Sequence, residues 1–172
     1  MRLDQNGVSL ASPASNGKPF RHDGDPSFYV NVDQPLVVND ADHTRLAAFA
    51  RAGIAHGDRN LIDLYVDGGI IYKGPFGRAD DEIGIAVGYA RIGDAARVLA
   101  ADFARFGGSF QPRLSAETVL ELTYRLQLTS WWQLQPDFQY IFNPGGGLAN
   151  PNAAGRRIGD AAVLGLRAAV TF

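Results

Sequence analysis

Between Thr118 and Phe142 the hydrophobic and polar positions alternate with a period of two. In "TVLELTYRLQLTSWWQLQPDFQYIF", Leu120, Leu122, Tyr124, Leu126 and Leu128 fall on one side of an extended chain. Glu121, Thr123, Arg125, Gln127 and Thr129 fall on the other. The pattern resumes after Ser130, where Trp132, Leu134, Phe138, Tyr140 and Phe142 oppose Gln133, Gln135, Asp137 and Gln139. "SFYVNVDQ" sets Phe28, Val30 and Val32 against Tyr29, Asn31 and Asp33. "EIGIAVGYARI" sets Ile83, Ile85, Val87 and Tyr89 against Glu82 and the small residues Gly84, Ala86, Gly88 and Ala90. Seven segments read as strands: 27–36, 44–56, 61–73, 82–92, 117–129, 131–142 and 160–172. The alanines of "RLAAFARAGIAH" would also suit a helix, but Gly53 and the neighbouring strands favour a strand.

Short links are expected at 57–60, 74–81 and 129–131, and long ones at 93–116 and 143–159. Within the first long link Ala95, Leu99 and Phe103 share a helical face, with Arg97 and Asp102 away from it, so a short helix is expected there. "NPGGGLANPNAAGRRIG" is irregular by its Pro and Gly content. Pairing the two best strands about Ser130 keeps both faces in phase. Leu122 then opposes Phe138, Tyr124 opposes Pro136, Thr123 opposes Asp137 and Arg125 opposes Gln135. Arg125 and Asp137 become diagonal neighbours within reach of each other, in a polar wall that Arg167 would join. Pro136 has no N–H to give the ladder.

Alternation alone suits a soluble sandwich or small barrel as well as a membrane barrel. Length separates them: soluble strands centre on about 5–6 residues, whereas these two alternate for about a dozen, and a bilayer-spanning barrel strand needs about 9–11. The wet faces carry Gln, Glu, Arg and Asp, as a water-filled lumen would. Trp131 and Trp132 stand at one end of a strand and Tyr140 and Phe142 at the other. Trp132 to Tyr140 covers about 26 Å at ~3.3 Å per residue, which at a tilt of roughly 40° approximates the apolar band between two aromatic girdles. Aromatics filling a soluble core are the competing reading.

Composition narrows the function classes. The chain has 172 residues, 46% hydrophobic and 20% charged, with a formal net charge of −2. That supports one domain and offers no basic excess for nucleic acid. Cysteine is absent, which excludes disulfides and thiolate metal sites, and no window holds 18 consecutive apolar residues. "MRLDQNGVSLASPASNGKPF" lacks the apolar core of a signal peptide, so the expectation is a cytosolic chain or a targeting segment outside these residues.

Catalytic and metal chemistry finds little support. Glu117 and Glu121 share a face but lie about 13 Å apart along a strand, beyond the ~5–9.5 Å of a glycosidase pair. Glu121 with Asp137 across strands is geometrically possible, with nothing to mark it as tuned. His22, His43 and His56 fall in links or at strand ends without ligand spacing. "NPGGG" lacks the Lys-Ser/Thr of a phosphate loop, and the acidic turn Asp23–Asp25 reads as solvated rather than calcium-binding. No enzyme activity, metal or cofactor is expected.

The last segment, "AVLGLRAAVTF", ends on Phe172, with Val170 two before it and Gly165 further in. It resembles the C-terminal signal of bacterial outer-membrane barrels, which their assembly machinery reads. "ETVLELTYRLQLTSWWQLQPDFQYIFNPGGG" followed by "DAAVLGLRAAVTF" resembles the end of the carbohydrate-selective porins of the OprB type, with "LQPDFQYIFNPGG" the most specific motif. "FARFGG" and "FARAGIAHGDRN" also look like family segments, so the resemblance covers 26–172, while 1–25 form an irregular segment with no likeness.

The resemblance implies an all-β, antiparallel, up-and-down transmembrane β-barrel of 16 strands, of which about seven are present here as its C-terminal part. It implies a bacterial outer-membrane location and passive diffusion of carbohydrates and small solutes. The partners implied are sugars, outer-membrane lipid, the barrel-assembly machinery and the N-terminal remainder of the barrel. Expected pore-lining residues are Glu121, Arg125, Gln133, Gln135, Asp137, Gln139 and Arg167. Trp132, Tyr140, Phe142 and Phe172 are expected at the membrane girdles. The alternative is a soluble or surface β-barrel that binds a ligand without conducting. An outer-membrane hydrolase is a third option, for which no Ser–His pair is found.

Overall fold

The structure, a computed structural model, describes residues 2–39, 41, 44–108 and 110–172; His43 lies outside the described residues. Its strands are β1 (Ser27–Asn39), β2 (Thr44–Ala55), β3 (Ile62–Lys73), β4 (Glu82–Ile92), β5 (Ala116–Gln127), β6 (Trp132–Phe142) and β7 (Ala161–Val170), with one long helix, α1 (Asp94–Gly107). They form one sheet in the order β1-β2-β3-β4-β5-β6-β7, and every neighbouring pair is antiparallel. The alanine-rich segment is indeed a strand. β1 outruns its expected end because the register shifts between Pro35 and Val37. The extra residue absorbs the proline, which has no N–H to donate, and pairing continues to Asn39.

The strand register about Ser130 is as the alternation dictates, with Leu122 opposite Phe138 and Thr123 opposite Asp137. Antiparallel order puts residues 2–26 and the links 56–61, 93–115 and 143–160 at one end of the sheet, here called the loop end. The links 74–81 and 128–131 lie at the other, the turn end.

A single layer of sheet has no second layer to bury its oily side. Among the described residues the buried hydrophobics are Ile92 and Ala96, both at the loop end, while Leu164 is 83% exposed and Leu166 71%. Leu122 and Phe138 stand open as well, at 46% and 39%. The soluble reading needed them packed in a closed interior. A continuous apolar face of this extent calls for a covering phase.

Polar side chains fasten both ends. Residues 2–26 carry isolated bridges, Leu3 with Ser9 and Asp4 with Pro19, rather than strands. Asp4, fully buried, gathers this segment. Its carboxylate accepts hydrogen bonds from the backbone N–H groups of Asn6, Val8 and Asn16 and from the Ser15 hydroxyl, at 2.8–2.9 Å. Burial pushes the Asp4 carboxyl up, but those donors outweigh it and hold the pKa below the usual value. The segment meets α1 in an apolar crevice of about 350 Å³ lined by Leu3, Ala95, Val98 and Leu99; Asp102, expected on the far face, lines it too.

The acidic turn at Asp23–Asp25 is tied to link 56–61, since Arg59 donates to the Gly24 carbonyl at 2.6 Å and Asn60 to the Asp25 carboxylate at 2.8 Å. Arg59 also hydrogen-bonds Asp58 and lowers that carboxyl to about 2. At the turn end Asp81 is 1% exposed. It accepts from Arg78 Nε at 2.5 Å, the Tyr124 hydroxyl at 2.7 Å and the Gln127 N–H at 3.0 Å. Link 74–81 is thereby buckled onto β5.

Candidate pore wall

Every residue expected to line a passage falls on one face of the sheet. Register pairs Glu121 with Gln139, Thr123 with Asp137 and Gln127 with Gln133. It pairs Gln135 with Arg167 and Asp137 with Gly165. Because side chains alternate strictly, Glu121, Arg125, Gln133, Gln135, Asp137, Gln139 and Arg167 share that polar face. Trp132, Tyr140 and Phe142 lie on the opposite, apolar face: Trp132 at the turn end, Tyr140 and Phe142 at the loop end. Trp132 stacks on Trp131 at a centroid distance of 6.3 Å, and Tyr140 meets Phe142 edge-on at 4.7 Å. Phe172 follows β7 at the turn end, fully exposed.

The partners within the polar face differ from expectation at Arg125. Its guanidinium pairs with Glu82, its register partner on β4, rather than with Asp137. Across β5 and β6 the contacts are Gln135 Nε2 to Thr123 Oγ1 and Gln139 Nε2 to Glu121 Oε2, both 3.0 Å. Asp137 instead lies over Gly165, where a Cβ would oblige its carboxylate to swing aside. The glycine of the terminal motif therefore makes room for a neighbour's acid.

Extending the same parity across the sheet adds residues that the sequence pattern did not single out. Arg51 on β2 and Asp67 on β3 are register partners and form an ion pair at 3.7 Å. The Arg51 guanidinium also stacks over Phe49, 4.9 Å from the ring centre. Between β3 and β5 lies a groove of about 240 Å³ bordered by Tyr65, Asp67, Glu117 and Glu121. Its floor is the small-residue side of β4, Ala86, Gly88 and Ala90. The alternation of small residues in β4 was the available signal. On β2 and β3 the polar face also holds Ala47, Phe49 and Ile71, which blurs the contrast between sides.

The "NPGGG" stretch is structural. Asn143 takes a left-handed conformation at φ 53°, and Gly145, Gly146 and Gly147 continue at φ 65°, 72° and 97°, where L side chains are strained. The Asn143 side chain donates to the Ala116 carbonyl at 2.7 Å, and the Gly145 N–H donates to Glu117 Oε2 at 2.6 Å. A methyl on Gly146 would press into Ile92. The loop is thus clamped onto the start of β5, with Glu117 shared between clamp and groove. The arrangement offers carboxylates, guanidinium groups, amides and aromatic faces. Among the described residues no three His, Asp or Glu side chains cluster to hold a metal ion.

Comparison with known proteins accounts for this build. The chain matches the family described as carbohydrate-selective porin, OprB family, over residues 1–172, which includes the first 25 residues that suggested no likeness. It is 29% identical over 140 residues to Porin B of Pseudomonas aeruginosa, covering 76% of this chain and 31% of that protein. It superposes with a TM-score of 0.84 on the high-pH structure of Pseudomonas putida OprB, at 27% identity, covering 99% of this chain and 40% of that one. The chain therefore spans about a third of the length of the curated relative it matches. One amphipathic antiparallel sheet, a polar face of charged and amide side chains, and a family match from the first residue to the last agree: the chain belongs to the carbohydrate-selective porins of the OprB family.

Proposed function

We propose that these seven strands are a stretch of wall in an outer-membrane barrel, apolar face to lipid and polar face to a water-filled passage. Carbohydrates and other small solutes diffuse through it down their gradients, without energy coupling and without chemical conversion. The observation that carries the reading is the sheet itself: one layer, apolar on one side and hydrogen-bonding on the other, with Leu122, Phe138, Leu164 and Leu166 uncovered. Lipid satisfies the first side and water the second. Glu121, Arg125, Gln133, Gln135, Asp137, Gln139 and Arg167 then meet the solute with side chains that exchange hydrogen bonds with hydroxyl groups. Trp132, Tyr140, Phe142 and Phe172 stand at the levels of the two interfaces. The remainder of the barrel pairs with the open edges of β1 and β7, and the terminal strand serves the assembly machinery.

Liposome swelling tests this reading with the closed barrel that contains these strands. Vesicles carrying it should swell in isosmotic monosaccharide, more slowly as the sugar grows. Vesicles that carry folded barrel yet stay sealed to monosaccharides would overturn the channel.

A further inference from the structure

The charges on the polar faces of the strands are sorted by height. Arg45, Lys73, Glu82 and Arg125 are successive register partners across β2, β3, β4 and β5. The pairs Thr123–Asp137 and Leu126–Leu134 bring Gln135 level with Arg125, and Gln135 pairs with Arg167 on β7. Among the described residues one cross-strand row therefore holds Lys73, Arg125 and Arg167 against one acid, Glu82, with Arg45, itself engaged, at the same level. Nearer the loop end the balance on the polar face of the strands inverts: among the described residues Asp33, Asp67, Glu117, Glu121 and Asp137 stand there with one cation, Arg51. The Asp63–Arg91 pair at the loop end, 2.8 Å apart, closes on itself.

We propose that this strip of wall carries a fixed axial charge separation, basic toward the turn end and acidic toward the loop end. It gives the two ends of this strip of wall opposite ion preferences and draws an anionic group on a permeating solute toward the basic row. The proposal rests on the channel reading above. Its physical condition is distance. Glu121 and Arg125 are four residues apart, about 13 Å along the strand, or about 10 Å along a barrel axis at a tilt of roughly 40°. Tilt turns the row into a sloping band, but acids and cations are spread over the same strands, so the slope does not cancel their separation. At 0.15 M salt the screening length is about 8 Å, so Asp33, Asp67, Glu117 and Glu121 act on an ion largely apart from the basic row. Asp137, two residues from the level of Arg167, partly offsets that row. A low-dielectric wall strengthens both fields.

Reversal potentials under a KCl gradient read this directly. A gradient of 0.1 M against 1 M is applied across one inserted channel, first in one direction and then in the other. Charges at the dilute mouth are screened over about 10 Å and those at the concentrated mouth over about 3 Å, so the dilute mouth sets the selectivity. The anion-to-cation permeability ratio should differ roughly twofold or more between the two directions. Arg167 and Asp33 are exposed and make no ion pair among the described residues, so Arg167→Gln and Asp33→Asn should fold. Arg167→Gln should lower the ratio chiefly when the turn end is dilute, and Asp33→Asn should raise it chiefly when the loop end is dilute. Equal ratios in both directions, or variants that act equally in both, overturn the charge separation while leaving the channel intact. Folded barrel that conducts nothing overturns the channel reading and this proposal with it.

Discussion

At the scale of single residues the polar face is a set of short exchanges between adjacent strands. Arg125 and Glu82 sit with 37% and 26% of their side chains exposed, so their attraction is moderated by water and is worth about 0.2–1 kcal/mol. In the passage proposed above, their effect on passing ions should exceed their effect on stability, because the two charges cancel only while both are present. Arg125→Gln should therefore raise cation preference and Glu82→Gln should raise anion preference. The double variant should return close to the starting ratio. Bilayer conductance at low salt measures all three, and a double variant that keeps the preference of either single variant would break the cancellation. Asp137→Asn should show no such coupling to Arg125.

This is also where sequence reading reached its limit. Alternation says which side a residue faces, and it placed Arg125 and Asp137 on one side correctly. The choice of partner depends on the register between β4 and β5. A link of 23 residues, 93–115, joins those strands, and no turn geometry carries register across such a length. The β5–β6 register was legible because Ser130 sits in a tight turn between two unbroken patterns.

At the scale of elements, links are held by buried polar groups rather than by a hydrophobic core. The buckle at Asp81 fastens link 74–81 to β5 through Tyr124 and the Gln127 N–H. Burial raises the Asp81 pKa, and the hydrogen bonds from Arg78, Tyr124 and Gln127 outweigh burial and leave it below 3.8. A carboxyl whose folded pKa is depressed stabilises the fold above its unfolded pKa and loses that contribution as pH falls through the folded value. Asp81→Asn should cost about 1–3 kcal/mol at neutral pH. The gap to the parent protein should close as pH drops below the ordinary carboxylate range. Thermal unfolding in detergent at pH 7 and at pH 2.5 compares the two, and an unchanged gap at the lower pH would refute the buckle. Neither this buckle nor the one at Asp4 was visible in the sequence, since an acid in a polar link has no periodicity to betray it. The helix was visible, because Ala95 and Leu99 repeat at helical spacing and do face one crevice.

At the scale of the molecule, two opposed faces on one sheet account for nearly every feature: exposed leucines, paired charges, aromatic residues at both ends and, among the described residues, buried hydrophobics confined to Ile92 and Ala96. The barrel class was legible because it depends on strand length and face chemistry, both local properties. The groove over β4 was not, because it needs three strands in register at once. The central claim is that even-numbered positions of β5 and β6 face lipid and odd-numbered ones face water. Since the chain has no cysteine, single cysteines at 119–126 and 133–140 can each carry a spin label in the closed barrel in lipid vesicles. Relaxation by oxygen, which concentrates in the bilayer, should peak at 120, 122, 124, 126, 134, 136, 138 and 140. Relaxation by a water-soluble nickel complex should peak at the positions between them. Labels at 122 and 138 that neither reagent reaches, or that the nickel complex reaches better than its neighbours, would contradict the account.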